Sequence, residues 1–272
     1  MSELMQRVIT ALLLLPVVLW CVFFAPDTTA FAAFAGAMVI VGAWEWTRMM
    51  GWQAPWQRLL YVVSLLVLVV AFRLPQVQAF APAVYGLSVG FWLLALRLVA
   101  GYPANAPQWA RSVLLAPVGL LLLLPAWIGL TTLHAASPWW LMFLFLLVWG
   151  ADTGAYFTGR AIGKTKLAVA VSPGKTVEGM LGGLALALLV ALAVALLRDM
   201  SGLRLVAFLG LSLLTVLSSV LGDLFESMVK RHAGIKDSGT IFPGHGGAMD
   251  RIDSLTAAAP VFALGWWLAG GF

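Results

Sequence analysis

The sequence predicts an all-α integral membrane protein, a polytopic helix bundle of about nine transmembrane helices with its N-terminus cytoplasmic. Three observations point there. Of 272 residues, 62% are hydrophobic and 10% charged, with a mean hydropathy of +0.99; a soluble domain carries about 25% charged residues. Apolar runs of about 20 residues, enough to cross a bilayer as helix, recur along the whole chain. The basic residues fall asymmetrically about those runs. No block remains for a soluble domain, so the chain reads as one membrane domain over 1–272. Spans alone fill 1–134, and 139–272 holds spans together with the polar loops.

In order, the first span is Val8–Ala25, a Leu-rich run after Arg7. Without a small-residue cleavage site it reads as a helix that stays rather than a signal peptide. Thr28–Thr47 follows; Trp44 and Trp46 read as interfacial anchors, with Glu45 and Arg48 paired nearby within one turn. Leu59–Phe72 is short, needing bilayer thinning or extension past Arg73. Ala79–Val99, Val113–Leu133 and Trp139–Phe157 are plain apolar runs, with His134 expected at the outer face without a role. Gly179–Leu197 opens with Gly179 and Gly183, a small-xxx-small pair that predicts close helix packing. Leu205–Leu224 and Ile252–Phe272 complete the set and flank the most polar loop of the chain.

On this topology Arg73, Arg198 and Arg204 lie outside, and the other 13 of the 16 Lys and Arg residues lie inside. That split follows the positive-inside rule. The net charge of +5 therefore reports membrane orientation and implies no nucleic-acid partner. Cys21, the single cysteine, permits no internal disulfide and reads as a small packing residue.

Seven of the eleven acids, Asp152, Glu178, Asp223, Glu226, Asp237, Asp250 and Asp253, fall at cytoplasmic ends of later spans or in the loops between them. An aspartate at mid-bilayer costs roughly 2.5–3.5 kcal/mol on insertion scales, so each needs a compensating partner or role.

In the loop Arg160–Glu178, Gly174-Lys175-Thr176 resembles the end of a Walker phosphate loop, but Val169 stands where the first glycine is required. Gly163-Lys164-Thr165 fails in the same way at Thr158, and no strand is expected ahead of either. An ordinary P-loop is thereby excluded. The turn Ser172-Pro-Gly-Lys-Thr176 can still grip phosphate through Ser172, Lys175, Thr176 and the helix start that follows; a loop that only sets topology is the alternative.

The loop Glu226–Asp253 is richer. If the eighth helix continues through Glu226, then Ser219, Asp223, Glu226 and Lys230 share a face at i, i+4, i+7, i+11. Asp250 and Asp253 share a face at the start of the last helix. Carboxylates of Asp223, Asp250 and Asp253 meeting across two helix ends would favour a divalent cation, and hard oxygen ligands favour Mg²⁺. Pro243-Gly-His-Gly-Gly247 can turn successive N–H groups toward an anion. His245 suits a phosphate or turn hydrogen bond better than a metal, since no second histidine has ligand spacing. His232 reads as solvated surface, and Arg231 and Lys236 can contact anionic headgroups.

At this point the chain resembles the phosphatidate cytidylyltransferases, or CDP-diacylglycerol synthases. Ser227, Lys230-Arg231, Lys236-Asp237, His245-Gly-Gly247 and Asp250-Arg-Ile-Asp253 stand in register with that family's signature. Upstream, Asp152-Thr-Gly-Ala-Tyr156, Gly159-Arg160, Ser172-Pro173, Lys175-Thr176, Glu178-Gly179 and Gly222-Asp223 are similar too. The likeness covers roughly the last half of the chain. Val177 replaces a common tryptophan and Ala248 a larger aliphatic residue, positions without chemistry.

The resemblance implies a Mg²⁺-dependent enzyme that joins CTP to phosphatidic acid, releasing pyrophosphate. It implies Asp223 and Asp250 as metal ligands with Asp253 in support. Lys175, Lys230, Arg251, Gly246 and Gly247 would hold the triphosphate; Ser172, Thr176 and Arg231 the lipid phosphate; Asp152 the site's edge. The catalytic set is then Asp223, Lys230, Asp250 and Arg251, in a bacterial-type inner membrane facing the cytoplasm. A second cation and a homodimer are left open. Transfer of phosphate from CTP to a lipid alcohol, or action on another lipid phosphate, is the nearest alternative. A secondary transporter would instead place its charges near mid-bilayer.

Overall fold

The computed structural model describes residues 3–24 and 27–272. The helices before the polar half are α1 (Glu3–Phe23), α2 (Thr28–Met49), α3 (Pro55–Ala71), α4 (Pro75–Gln78), α5 (Ala81–Ala100), α6 (Ala106–Trp109) and α7 (Ser112–Ala136). Then come α8 (Pro138–Ile162), the strands β1 (Lys166–Ala168) and β2 (Ser172–Thr176), α9 (Val177–Leu197), α10 (Gly202–His232) and α11 (Met249–Leu268). Each predicted span coincides with a helix of at least 17 residues. Among the described residues, α2, α5, α7, α8, α9 and α10 are long and apolar enough to cross a membrane, and α3 is a shorter apolar helix. The end of the first predicted span at Ala25 and the side chain of Arg7 lie outside the described residues.

Helix starts follow local chemistry. The Asp27 carboxylate accepts from the Thr29 and Ala30 N–H groups and starts α2. Ser137 and the following proline start α8, and the Thr176 hydroxyl accepts from Gly179 N–H to start α9. Pro117 and Pro125 lie inside α7. Gly119 on that helix leaves space for two visitors: a Cβ there would come within 2.3 Å of both Trp46 Nε1 and Tyr61 Oη. Trp46 thereby donates to Leu115 O at 2.8 Å, and Tyr61 to Ala116 O at 2.9 Å.

Helices α8 and α9 meet along glycines, as the Gly179–Gly183 pair predicts. A Cβ on Gly183 would lie 2.4 Å from Ala151 O, and one on Gly179 2.9 Å from Ala155 O. Cys21 is buried in the core, as expected.

Several local expectations change. Trp46 is fully buried rather than interfacial, because its indole N–H has a carbonyl partner inside the bundle. Trp44 stays at the surface with the Arg58 guanidinium 3.8 Å over its ring. His134, expected without a role, is buried and has partners, with Nε2 2.9 Å from Val22 O and its ring stacked on Phe31. Residues 166–176 form an antiparallel hairpin, so a strand does lie ahead of α9; Lys175 is within it. Helix α10 runs to His232, two turns past Leu224.

Candidate active site

The charged residues gather where α10 ends, α11 begins and the hairpin folds over α8 and α9. Extension of α10 puts Asp223, Glu226 and Lys230 on one face, as the spacing requires. Helix α11 lies close against that face, for a Cβ on Gly222 would come within 2.6 Å of Asp253 O. A glycine before Asp223 is thus what lets the two acid-bearing helix ends touch.

Two lysine–aspartate pairs organise this end. Lys175 on β2 lies 2.5 Å from Asp223 Oδ2 on α10, and Ser227 donates to Asp223 Oδ1 at 3.3 Å. Lys230 lies 2.5 Å from Asp250 Oδ1 on α11 and 3.3 Å from Glu226 Oε1, and all three side chains are at least nine-tenths buried. Asp250 Oδ2 accepts from Gly247 N–H at 2.8 Å, Ser238 N–H at 2.9 Å and the Ser238 hydroxyl at 2.9 Å. Burial alone would raise the Asp250 carboxyl, but the Lys230 ammonium and the Gly247 and Ser238 amides hold it below the ordinary carboxylate range. Asp250 sits in the first turn of α11, ahead of the hydrophobic stretch.

A cavity of about 500 Å³ opens beside the first pair, between α8, α9, α10 and the hairpin. Asp152, Arg160, Lys175 and Thr176 stand on its wall among Ala151, Met180, Leu184, Val216 and Val220. The cavity is therefore apolar along most of its wall, with Asp152, Arg160 and Lys175 as its charged side chains. Asp152 is within electrostatic reach of Asp223, Lys175 and Arg251.

The predicted residues divide. Asp152, Lys175 and Thr176 line the cavity, Asp223 pairs with Lys175, and Asp253 lies within electrostatic reach of Asp223 and Lys175. Arg251 is exposed nearby in the first turn of α11, and Ser172 begins β2 half-buried. Arg231 donates instead to Val171 O at 3.4 Å and Ile235 O at 3.3 Å, tying the hairpin to the end of α10. Lys236 is exposed, and His232 is exposed with its ring 5.4 Å from Trp109. His245 lies in a tight turn, its N–H on Phe242 O. Gly246, at φ +79°, is where a Cβ would meet Asp250 Oδ2 at 2.4 Å. The Gly247 N–H is directed at Asp250 rather than into open space.

Among the described residues no three His, Cys, Asp or Glu side chains converge as a ready-made metal cage. Mg²⁺ does not need one, since it is commonly held by one or two carboxylates with water and substrate phosphate completing the shell. Asp223 fits that role: a partly accessible carboxylate that already holds a cation, the Lys175 ammonium.

One contributor was invisible in the sequence. Glu45 on α2 pairs not with Arg48 but with the start of α11, accepting from Ala248 N–H at 3.1 Å and Met249 N–H at 2.9 Å. A capping box would have signalled such a role locally, but here the carboxylate and the helix it caps are 203 residues apart.

A helical bundle of spanning length, with buried ion pairs and an amphipathic cavity at one end, defines an integral membrane enzyme. The chain belongs to the Cytidylyltransferase family, whose model matches residues 5–268, and it is accordingly a nucleotidyltransferase. It is 50% identical over 268 residues to a phosphatidate cytidylyltransferase of Pseudomonas aeruginosa, covering 97% of each chain. A Haemophilus influenzae protein of that name is 40% identical, over 95% of this chain and 96% of its own. One from Brucella suis is 35% identical, over 97% of this chain and 93% of its own. Kinship thus extends through the first half, beyond the part where motifs are legible.

Proposed function

We propose that the chain transfers the cytidylyl group of CTP to phosphatidic acid, giving CDP-diacylglycerol and pyrophosphate. The observation that carries this reading is the pairing of Asp223 with Lys175, a lysine on the wall of a mostly apolar cavity. An acyl-bearing phosphate suits such a wall, with its chains along Met180, Leu184 and Val216 and its headgroup at the charges.

The chemistry then needs little from the protein beyond placement. A phosphomonoester with a second pKa of about 6 is largely dianionic at neutral pH. One of its oxygens attacks the α-phosphorus of CTP. A new P–O bond forms, the α–β bridging bond breaks, and its electron pair leaves on pyrophosphate. Because the nucleophile is already ionised, the task is to bring two anions together and neutralise their repulsion. Lys175 and Lys230 supply ammonium groups for this, exchanging a carboxylate for phosphate oxygens, and the exposed Arg251, within electrostatic reach of Asp152, adds a third cation. Asp223, with Asp253 behind it, would hold Mg²⁺, which when bound neutralises phosphate charge. Asp250, three of its acceptor directions already filled by Ser238 and Gly247, holds Lys230 and the loop as well as completing the acid set.

In this reading nine helices cross a bacterial inner membrane, the N-terminus is cytoplasmic, and the charged end faces the cytoplasm where CTP is found. The basic asymmetry of the sequence supports that orientation.

The decisive test is label transfer. Purified protein with [α-³²P]CTP, phosphatidate and Mg²⁺ places label in the lipid, and diacylglycerol does not replace phosphatidate. Transfer of γ-label to diacylglycerol or a polyprenol would overturn the reading in favour of CTP-dependent phosphorylation, whose neutral hydroxyl nucleophile needs a general base.

A further inference from the structure

Glu45 is a buried carboxylate, 6% exposed, in the membrane-spanning helix α2. Among the described residues no Lys, Arg or His lies within ion-pair distance of it. Its charge is met by three donors: Ala248 N–H on Oε1, Met249 N–H on Oε2, and the Ser238 hydroxyl on Oε2 at 2.8 Å. The two amides are at the start of α11, which has no cap of its own because Ala248 stands at the capping position. A helix start presents unpaired N–H groups and favours negative charge, so Glu45 is a cap supplied from another helix.

The polypeptide is shaped around this carboxylate. A Cβ on Gly239 would lie 2.2 Å from Glu45 Oε1, and one on Gly247 2.3 Å from Oε2. Ser238 then joins Glu45 to the site, its oxygen 2.8 Å from Glu45 Oε2 and 2.9 Å from Asp250 Oδ2. A hydroxyl has one proton to give, so it serves one carboxylate at a time. The Ser238 and Gly247 amides hold Asp250 independently, while the two α11 amides hold Glu45. Asp250 in turn grips Lys230.

We infer that Glu45 is a positioning residue for cytidylyl transfer: through the start of α11 and Ser238 it fixes the 238–250 segment, and so sets where Asp250 holds Lys230. Glutamine at this position is nearly isosteric but must turn an NH₂ toward one of three donors, so one contact becomes a clash of hydrogens. The loop then loosens while the membrane packing of α2 is untouched.

The kinetic half of this inference rests on the proposed reaction, whereas its structural half does not. The experiment uses full-length protein in detergent with E45Q, S238A and D27A, the last removing the cap at the opposite end of α2. Hydrogen exchange by mass spectrometry is followed on peptides across 238–250, with kcat and KM measured for CTP and phosphatidate. E45Q is expected to speed exchange in 238–250 by about tenfold while α8 and α9 stay protected. Its kcat falls about 10²-fold, the scale of a misplaced catalytic group, and KM for CTP changes less than about threefold. S238A shows the same pattern with smaller amplitude, and D27A lowers the melting temperature with kcat unchanged. Unchanged exchange in 238–250, faster exchange spread over the whole bundle, or a loosened loop with unaltered kcat would each overturn the inference. If E45Q does not fold, S238A decides by the same criteria. An inactive wild-type protein would sink the proposed reaction, while the exchange comparison would still decide whether Glu45 orders the loop.

Discussion

Lys230 Nζ lies 2.5 Å from Asp250 Oδ1, joining the last turns of α10 to the first turn of α11. The pair is buried beside Glu226, which stands 3.3 Å from the same ammonium. Removing one member of a buried pair strands the other charge, a far larger effect than losing a surface contact.

Asp250→Asn and Asp223→Asn should each lower turnover by at least ~10³-fold, about 4 kcal/mol of transition-state stabilisation. Glu226→Gln and Asp237→Asn should cost less, since Lys230 keeps Asp250 in the first case and Asp237 is an exposed loop residue in the second. Steady-state assays across Mg²⁺ concentrations, on variants verified as folded, measure this. Near-wild-type activity of Asp250→Asn would show that the assigned set is wrong.

Cation binding can be read without turnover. Mg²⁺ is expected to raise the melting temperature of the purified protein in the presence of CTP, and chelation to reverse the shift. Asp223→Asn should abolish the shift, whereas Asp237→Asn should keep it. A wild-type-sized shift in Asp223→Asn would move the cation elsewhere.

Gly246→Ala should destabilise the loop by roughly 1–2 kcal/mol from the backbone alone, because φ is +79° there. The added carbon also meets Asp250 Oδ2, so activity should fall further than stability. Gly183→Ala makes the contrasting case. It forces α8 from α9 and should cost about 1–3 kcal/mol in detergent unfolding.

Orientation is decided by single cysteines at Lys164, Lys236 and a C-terminal extension, in a background with Cys21 replaced. In right-side-out vesicles an impermeant thiol reagent should label the extension and spare the other two. Labelling at Lys236 but not at the extension would invert the proposed topology.

What the sequence made legible was periodic or locally spelled. The stripe from Ser219 to Lys230 needs only the helical repeat, and the glycines of α9 need only their four-residue spacing. The hairpin at 166–176 was hidden because Pro173 and Gly174 weigh against a strand. Trp46 and His134 look like interface residues in a linear reading; burial follows from partners on other helices, Leu115 O and Val22 O. Glu45 was the largest omission. An acid beside Arg48 invites a local pair, and nothing in α2 announces amides that arrive 203 residues later.

That separation bears on how the protein is made. During synthesis α2 enters the membrane with a carboxylate whose partners do not yet exist. Until α11 is released and docks, Glu45 must remain near the water interface or be carried uncompensated, at a cost of up to ~3 kcal/mol on insertion scales. Docking of the final helix therefore ends the exposure of a charge and completes the reactive end in one event. A chain cut short before Met249 keeps its early spans but bears a persistent polar flaw in α2, a mark by which membrane quality control could tell unfinished copies from finished ones.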